Sequence, residues 1–140
     1  MLSRVLTLVF LVAVLRDAPA IAQGASGMDP CEANADVLKD DPFVMVAVPV
    51  AGARVKSGFV VTGCSRTFES TVVWTLTIRG GKALAKGTAT GGGVDGPGAL
   101  SFTVAATVTK PTLAYLEVFE PNMAGGAPSS RVIVPVVLTP

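Results

Sequence analysis

Histidine does not occur anywhere in the 140 residues of this sequence. Because histidine is the most common general base in proteins, its absence excludes a Ser-His-Asp triad and the usual histidine-containing catalytic zinc site. No Gly-Lys-Ser/Thr follows the glycine-rich stretch at residues 90–98, which excludes a phosphate-binding loop. We therefore predict that the chain is not an enzyme and holds no metal ion or cofactor.

A hydrophobic run long enough to cross a membrane is also missing. The N-terminal run covers residues 5–15, after Arg4, and a membrane-spanning helix needs about 20 residues. Ala20-Ile21-Ala22 follows it, and a basic start, a short apolar core and a small-x-small sequence are typical of a signal peptide. We place the signal peptide at residues 1–22. The protein is then secreted or periplasmic, with no stable membrane insertion after cleavage.

The chain after residue 22 has no excess of positive or negative charge. Residues 1–22 hold Arg4, Arg16 and Asp17, so the rest has nine basic and nine acidic residues. No cluster of lysine and arginine interrupts this balance along the sequence. A nucleic-acid-binding protein needs a basic face that neutralises phosphates, and electrostatic attachment to a membrane surface also needs one. The sequence therefore predicts neither nucleic acid nor a membrane surface as a partner.

Cysteine occurs only at positions 31 and 64. In an exported chain, the oxidising compartment favours a disulfide between Cys31 and Cys64, which we predict. Three alternatives stay open at this point. Both thiols could be free, or Cys31 could carry a lipid, although residues 27–30 do not resemble a small, apolar lipobox. Cys64 could also be a nucleophile beside Arg66, although it lacks a histidine partner.

The segment 23–42 is predicted to form a short helical or extended prefix to the domain. Asp29 can cap a helix, and Pro42 ends whatever begins there. Three apolar residues recur at helical spacing in this segment: Cys31, Ala35 and Leu38. They predict one helix face that packs on the domain and includes the first cysteine. Three acidic residues lack the spacing of a calcium loop, and we interpret them as solvated charges: Asp36, Asp40 and Asp41.

From residue 43 onward the pattern changes to short β runs separated by glycine and proline. Seven strands are predicted, at residues 44–48, 58–63, 70–79, 82–90, 100–108, 113–120 and 131–138. Residues 70–78 and 102–109 alternate between apolar and threonine-rich faces, which is typical of an antiparallel sheet with one buried face. We predict an all-β, immunoglobulin-like antiparallel sandwich over residues 43–140, with Trp74 in the core and Pro135 at an edge or bulge.

Two loops are candidate binding sites, because recognition residues are often carried on the loops of a rigid scaffold. The first, TGGGVDGPG, is interpreted mainly as a flexible connection, with Gly92, Asp95 and Pro97 as its candidate binding residues. The second, EPNMAGGAPSS, contains Asn122 and Met123. Between strands, Phe68 is predicted to plug the end of the sandwich and Glu69 to cap an adjacent loop.

Several of these features together resemble the immunoglobulin-like domain family of bacterial spore germination. The matching features are a strand ending in proline, a Gly-Ala turn, a Val-x-Ser pair, a strand ending in glycine and a Phe-Glu step. They stand here at Pro49, Gly52-Ala53, Val55-Lys56-Ser57, Gly63 and Phe68-Glu69. LEVFEP at residues 116–121 and VIVPVVL at residues 132–138 extend the resemblance to about residues 44–138.

The resemblance implies an extracytoplasmic β-sandwich used for interaction, with no catalytic residues to carry over. We therefore expect a non-catalytic interaction module of the bacterial cell envelope, whose partner is an envelope protein or a cell-wall ligand. The alternative is a secreted enzyme inhibitor, such as a protease inhibitor, that inserts a loop rich in glycine and proline into its target.

Overall fold

The computed structural model describes residues 29–140. The predicted signal peptide lies outside the described residues, as do residues 23–28 of the prefix. No helix among residues 29–140 has the length and hydrophobicity needed to cross a membrane.

The described chain consists of two short helical segments followed by β-strands. The helices are α1 (Pro30–Ala33) and α2 (Ala35–Leu38). The strands are β1 (Phe43–Val48), β2 (Arg54–Val55), β3 (Phe59–Arg66), β4 (Thr71–Ile78), β5 (Ala83–Thr90), β6 (Gly98–Val104), β7 (Thr112–Phe119) and β8 (Arg131–Leu138).

The strands form two sheets, as an immunoglobulin-like sandwich requires. One sheet has the order β1-β3-β6 and the other the order β2-β8-β7-β4-β5. Among these eight strands, all pairings are antiparallel except β2–β8, in which Arg54 lies opposite Val137 and Val55 opposite Leu138. The predicted fold class is confirmed, with an eighth strand because the two-residue β2 joins the larger sheet.

Alternation along the strands creates the core between the two sheets. Val72, Trp74 and Leu76 of β4 are buried while the residues between them are half-buried. The ring of Trp74 stacks on that of Phe102 from the opposite sheet, with centroids 5.3 Å apart and planes inclined by 10°. Such a pair stabilises the fold by about 0.5–1.5 kcal/mol beyond the area that it buries. The prediction that Trp74 belongs to the core is confirmed.

Two strands end well away from the predicted residue. The strand expected at residues 58–63 continues to Arg66, because residues 64–66 still pair with β1 and residues 64 and 65 with β6. The strand expected at residues 100–108 ends at Val104. The β2 strand pairs with β8 only at Val137 and Leu138. At Pro135, β8 therefore has a single strand partner, β7, and the position of Pro135 at a local edge agrees with the prediction.

The prefix is buried on the sheet at its first turn. The carboxylate of Asp29 accepts a hydrogen bond from the backbone N–H of Cys31 at 2.9 Å, as expected of a helix cap. Cys31 is buried and Leu38 half-buried, but Ala35 is exposed. The prediction of one continuous apolar face is therefore wrong at Ala35. The reason is a break at Asn34, whose φ of −130° separates the two helical segments and interrupts the helical spacing.

Candidate functional site

Four chain segments meet at one end of the sandwich, which we call the loop end. They are residues 39–42, 67–70, 91–97 and 120–130. Strands β3, β5 and β7 end there, while β1, β4, β6 and β8 begin there, so the antiparallel order of the sheets brings these connections together. Both loops predicted from the sequence as candidate binding loops belong to this end.

Glu120 links two of these segments from a buried position. Its side chain is 8% exposed, and one carboxylate oxygen accepts the backbone N–H of Phe68 at 2.6 Å. The other accepts the hydroxyl of Ser129 at 2.5 Å, and the Glu120 N–H donates to the Ser130 carbonyl at 2.9 Å. Hydrogen bonds to a charged group contribute about 1.5–3 kcal/mol, so this carboxylate fixes the connection 67–70 against the connection 120–130.

Phe68 is held by its backbone but exposed at its ring. The side chain is 75% exposed, although the N–H of the same residue bonds to the buried carboxylate. The prediction that Phe68 plugs the sandwich is therefore wrong. The capping carboxylate is that of Glu120 rather than Glu69, which lies at the surface.

Arg66 links the prefix to the loop 91–97. Its guanidinium donates from Nη1 to the carbonyl of Asp40 at 3.5 Å and from Nη2 to the carbonyl of Val94 at 3.3 Å. Within the described chain, its buried Nε has no hydrogen-bond partner. Because this Nε is buried, a partner cannot reach it, and the guanidinium acts here as a link between two segments of the chain.

A concavity of about 200 Å³ opens between these residues. Its apolar walls come from Pro42, Phe68 and Val94, and its charged groups from Arg66 and Glu120. A smaller crevice, which Phe68 also lines, is bordered by Pro121 and Met123 among others, and its space of about 20 Å³ is that of a single water molecule. The arrangement can take up part of a partner's surface.

The residues predicted for the first loop have different roles in the fold. Gly92 is buried, and its carbonyl accepts the backbone N–H of Thr67 at 3.1 Å, so it belongs to the framework. Asp95 is exposed and Pro97 half-buried. Of the three, only Asp95 is freely accessible to a partner.

The second loop places its two predicted residues at the surface. Asn122 shapes the loop itself, because its side chain accepts the N–H of Ala124 at 3.0 Å and donates to the carbonyl of Ala127 at 3.1 Å. Met123 is 77% exposed and lies beside Phe68 along the smaller crevice. That Asn122 and Met123 bind a partner stays a prediction.

Cys31 and Cys64 form a disulfide, with their Cα atoms 5.3 Å apart. Cys64 is fully buried in β3, and neither cysteine is free. The predicted disulfide is confirmed, and the alternatives of a lipid on Cys31 and a nucleophilic thiol at Cys64 do not apply to this bonded pair. The bond joins the prefix to the sheet directly beneath the loop end.

Candidate metal ligands do not converge within residues 29–140: no group of three or more acidic or cysteine side chains is placed to hold an ion. The acidic residues of the prefix that follow its first turn are exposed.

Comparison with known proteins identifies the domain. A family model matches residues 43–127, more than half of the chain, and its description is immunoglobulin-like domain of bacterial spore germination (Gmad2). The chain belongs to this family. The Gmad2 match includes Phe68, Arg66 and Glu120, and it ends within the connection between β7 and β8. No curated protein and no solved structure gave a significant match.

Sequence reasoning missed Arg66 and Glu120. A signal for Glu120 was present, since Ala114, Leu116 and Val118 alternate on the buried face of β7 and the next position in this series is residue 120. A carboxylate in a buried series needs hydrogen-bond partners, which would have pointed to its structural role. Arg66 carries no such signal, because its partners are backbone carbonyls from distant segments.

Proposed function

We propose that this domain is a non-catalytic, extracytoplasmic binding module of the bacterial cell envelope, and that its loop end binds an envelope protein. The single observation that carries the proposal is the state of Phe68. Its backbone is fixed by a buried carboxylate while three quarters of its side chain faces solvent. Domains of this immunoglobulin-like family are generally non-catalytic, which agrees with a binding role.

Exposed apolar side chains around Phe68 support a protein as the partner. Val94 is 59% exposed and Met123 is 77% exposed, and both border a concavity or crevice that Phe68 also lines. Aromatic, methionine and arginine side chains are enriched at protein–protein interfaces, where burying one large apolar side chain contributes about 1.5–3 kcal/mol. The disulfide supports an extracytoplasmic location, because disulfides persist in oxidising compartments.

The geometry of the second loop favours this function over that of a protease inhibitor. An inhibitory loop must present an extended segment to the target's active site. The tip of the connection 121–130 instead turns sharply, with positive φ at Gly125 and Gly126 and a local turn built by Asn122.

Site-specific crosslinking tests the proposal. The photoreactive residue p-benzoylphenylalanine is introduced at position 68 and, in a matched control, at position 60. Val60 is also exposed, at 51%, but lies on the outer face of the smaller sheet. We expect a discrete crosslinked protein in the native envelope fraction from position 68 and none from position 60.

Two outcomes would contradict the proposal. Equal crosslinking from both positions would mean that Phe68 contacts its surroundings at random. Stoichiometric inhibition of a secreted protease by the purified protein, retained after Phe68→Ala, would favour the inhibitor. Phe68→Ala itself leaves the fold intact because the ring is exposed, so failure of this variant to co-purify with the protein identified by crosslinking would report on binding.

A further inference from the structure

The charges of this neutral domain are separated between its two ends. Of the nine acidic residues at positions 29–140, eight lie in the prefix or in connections of the loop end, and only Glu117 lies within a strand. The opposite end consists of β2 with residues 56–58, the hairpin 79–82, the connection 105–111 and residues 139–140. We call it the basic end. It contains no acidic residue and five cations, which lie at its surface: Arg54, Lys56, Arg79, Lys82 and Lys110.

Strand register places these cations at one level of the larger sheet. Arg54 lies opposite Val137, near the end of β8, and Thr112 lies opposite Leu138. Across β7, Ala114 pairs with Ile78, where β4 turns into the hairpin 79–82. The cations are far apart in sequence, so the chain shows no basic run, yet the fold collects them on one surface.

The basic end also contains a built concavity of about 430 Å³. Lys56 stands at its wall together with three hydroxyl residues, Ser57, Thr107 and Thr139. The Ser57 oxygen accepts the N–H of Ala106 at 3.1 Å, which leaves its own proton to donate, while Thr139 donates to the Val55 carbonyl at 3.2 Å. An ammonium with neighbouring hydroxyl donors is suited to a phosphate or carboxylate group.

We infer that the basic end is a second binding surface, for an anionic polysaccharide-type polymer of the cell wall that carries phosphate or carboxylate groups. Lys56 and Ser57 hold one anionic group in the concavity, and the other four cations contact further groups along the polymer. Charges separated by more than about 8 Å are screened at physiological ionic strength, so a polymer with repeated anions suits this spread of cations better than one small ion.

A lipid bilayer suits this surface less well. Peripheral membrane binding combines electrostatic attraction with the burial of apolar side chains. Among the described residues, Leu113 is 47% exposed and lies opposite Val137, at the level of Arg54, but no other large exposed hydrophobic side chain lies in residues 54–58, 79–82, 105–111 or 139–140. The concavity is also lined by Val108 and Pro140, and its one ammonium and three hydroxyl groups are the groups that a hydrated polymer could bind.

Binding of the purified protein to four probes tests the inference. Long-chain inorganic polyphosphate supplies phosphate, polygalacturonate supplies carboxylate, dextran is the neutral control, and vesicles of phosphatidylcholine with about 30% phosphatidylglycerol supply an anionic bilayer. We expect one or both polyanions to bind. The one that binds with higher affinity identifies phosphate or carboxylate as the preferred anionic group. Affinity should fall at least about 10-fold between roughly 50 and 200 mM salt, because bound counterions are released. Binding to dextran, to vesicles alone or to no probe would overturn the inference.

Charge-removing variants locate the surface. Replacing all five cations by glutamine should weaken polyanion binding by about 30-fold or more, and Lys56→Gln alone by about 5-fold, since affinity follows the number of contacts. The matched control is Lys39→Gln with Lys86→Gln, two lysines outside the basic end, and it should change affinity less than about 2-fold. An equal loss in the control would overturn the inference, and Lys56→Gln decides it alone if the fivefold variant does not fold.

Phe68→Ala separates this inference from the proposed function. It removes the loop-end side chain and should leave polyanion binding unchanged, because Phe68 lies at the opposite end of the sandwich. Each surface can therefore fail its own test without affecting the other.

Discussion

Two glycine-rich loops of similar composition lie side by side at the loop end, yet they are built differently. The loop 91–97 is hydrogen-bonded to the connection 67–70. The N–H of Gly91 donates to the carbonyl of Ser70 at 2.9 Å, and the carbonyl of Gly92 accepts the N–H of Thr67. The loop 121–130 is fixed at its base by Glu120, while every residue from 122 to 127 is exposed. Composition alone does not distinguish a framework loop from a projecting one.

Glycine serves a different physical purpose in each loop. A Cβ on Gly92 would come within 3.0 Å of backbone atoms of Ser65, Gly96 and Gly98, so this glycine permits a close approach of chains. A Cβ on Gly125 would meet no atom within 4 Å, but the φ of 78° at this residue lies in the left-handed region that favours glycine. The first loop therefore depends on packing and the second on turn geometry.

Removing the disulfide should have the largest effect on stability. The effect should reach the loop 91–97 but not the projecting loop 121–130. We expect Cys31→Ala with Cys64→Ala to lower the free energy of unfolding by about 3–4 kcal/mol, measured by urea denaturation. Amide hydrogen exchange should rise at residues 31–38 and 91–98 but not at 122–127. In the native protein, a thiol-alkylating reagent should add two alkyl groups only after the disulfide has been reduced. An equal rise in exchange in both loops would show that the comparison is wrong.

Substituting one glycine in each loop tests the comparison directly. We expect Gly92→Ala to cost about 3 kcal/mol, because the neighbouring backbone atoms cannot move aside without breaking strand pairing. Gly125→Ala should cost about 1 kcal/mol, the ordinary strain of a left-handed alanine. Thermal and urea unfolding of the two variants gives both values. Similar losses in the two would mean that the loops are equivalent.

Weakening the base of the projecting loop should have a smaller and more local effect. Glu120→Gln keeps the shape but removes the charge, and we expect a loss of about 1–2 kcal/mol. Exchange should rise at residues 121–130 and at Phe68 while residues 91–97 stay protected. The control is Met123→Ala, whose exposed side chain should change stability by less than about 0.5 kcal/mol. A loss for Met123→Ala as large as that for Glu120→Gln would show that the loop packs on the domain.

The parts of the fold predicted from sequence are those set by local periodicity. Val72, Trp74 and Leu76 alternate with half-buried residues, and this period of two determines the buried face of β4 whatever its partner. β2 was missed because two residues carry no period, and its parallel pairing with β8 depends on the path of the chain between the sheets.

The candidate site was less predictable because its contacts join residues far apart in sequence. Phe68 is an aromatic residue after a strand, a pattern that favours burial, but Glu120 lies 52 positions away and fixes only its backbone. The basic end has the same origin, since five cations from separate segments meet only through strand register. The disulfide was predictable because a chain with two cysteines leaves one intramolecular pairing.

The Cys31–Cys64 bond has a mechanical consequence. When the chain is stretched, tension that enters before Cys31 crosses the covalent bond to Cys64 and continues along β3. All of β1 and β2 lies between the two cysteines and is therefore bypassed. Reduction would place these strands in the load path and release about 110 Å of additional chain, at roughly 3.4 Å for each residue of the sequence separation of 33. The redox state of one bond thus sets how far this domain can extend under force.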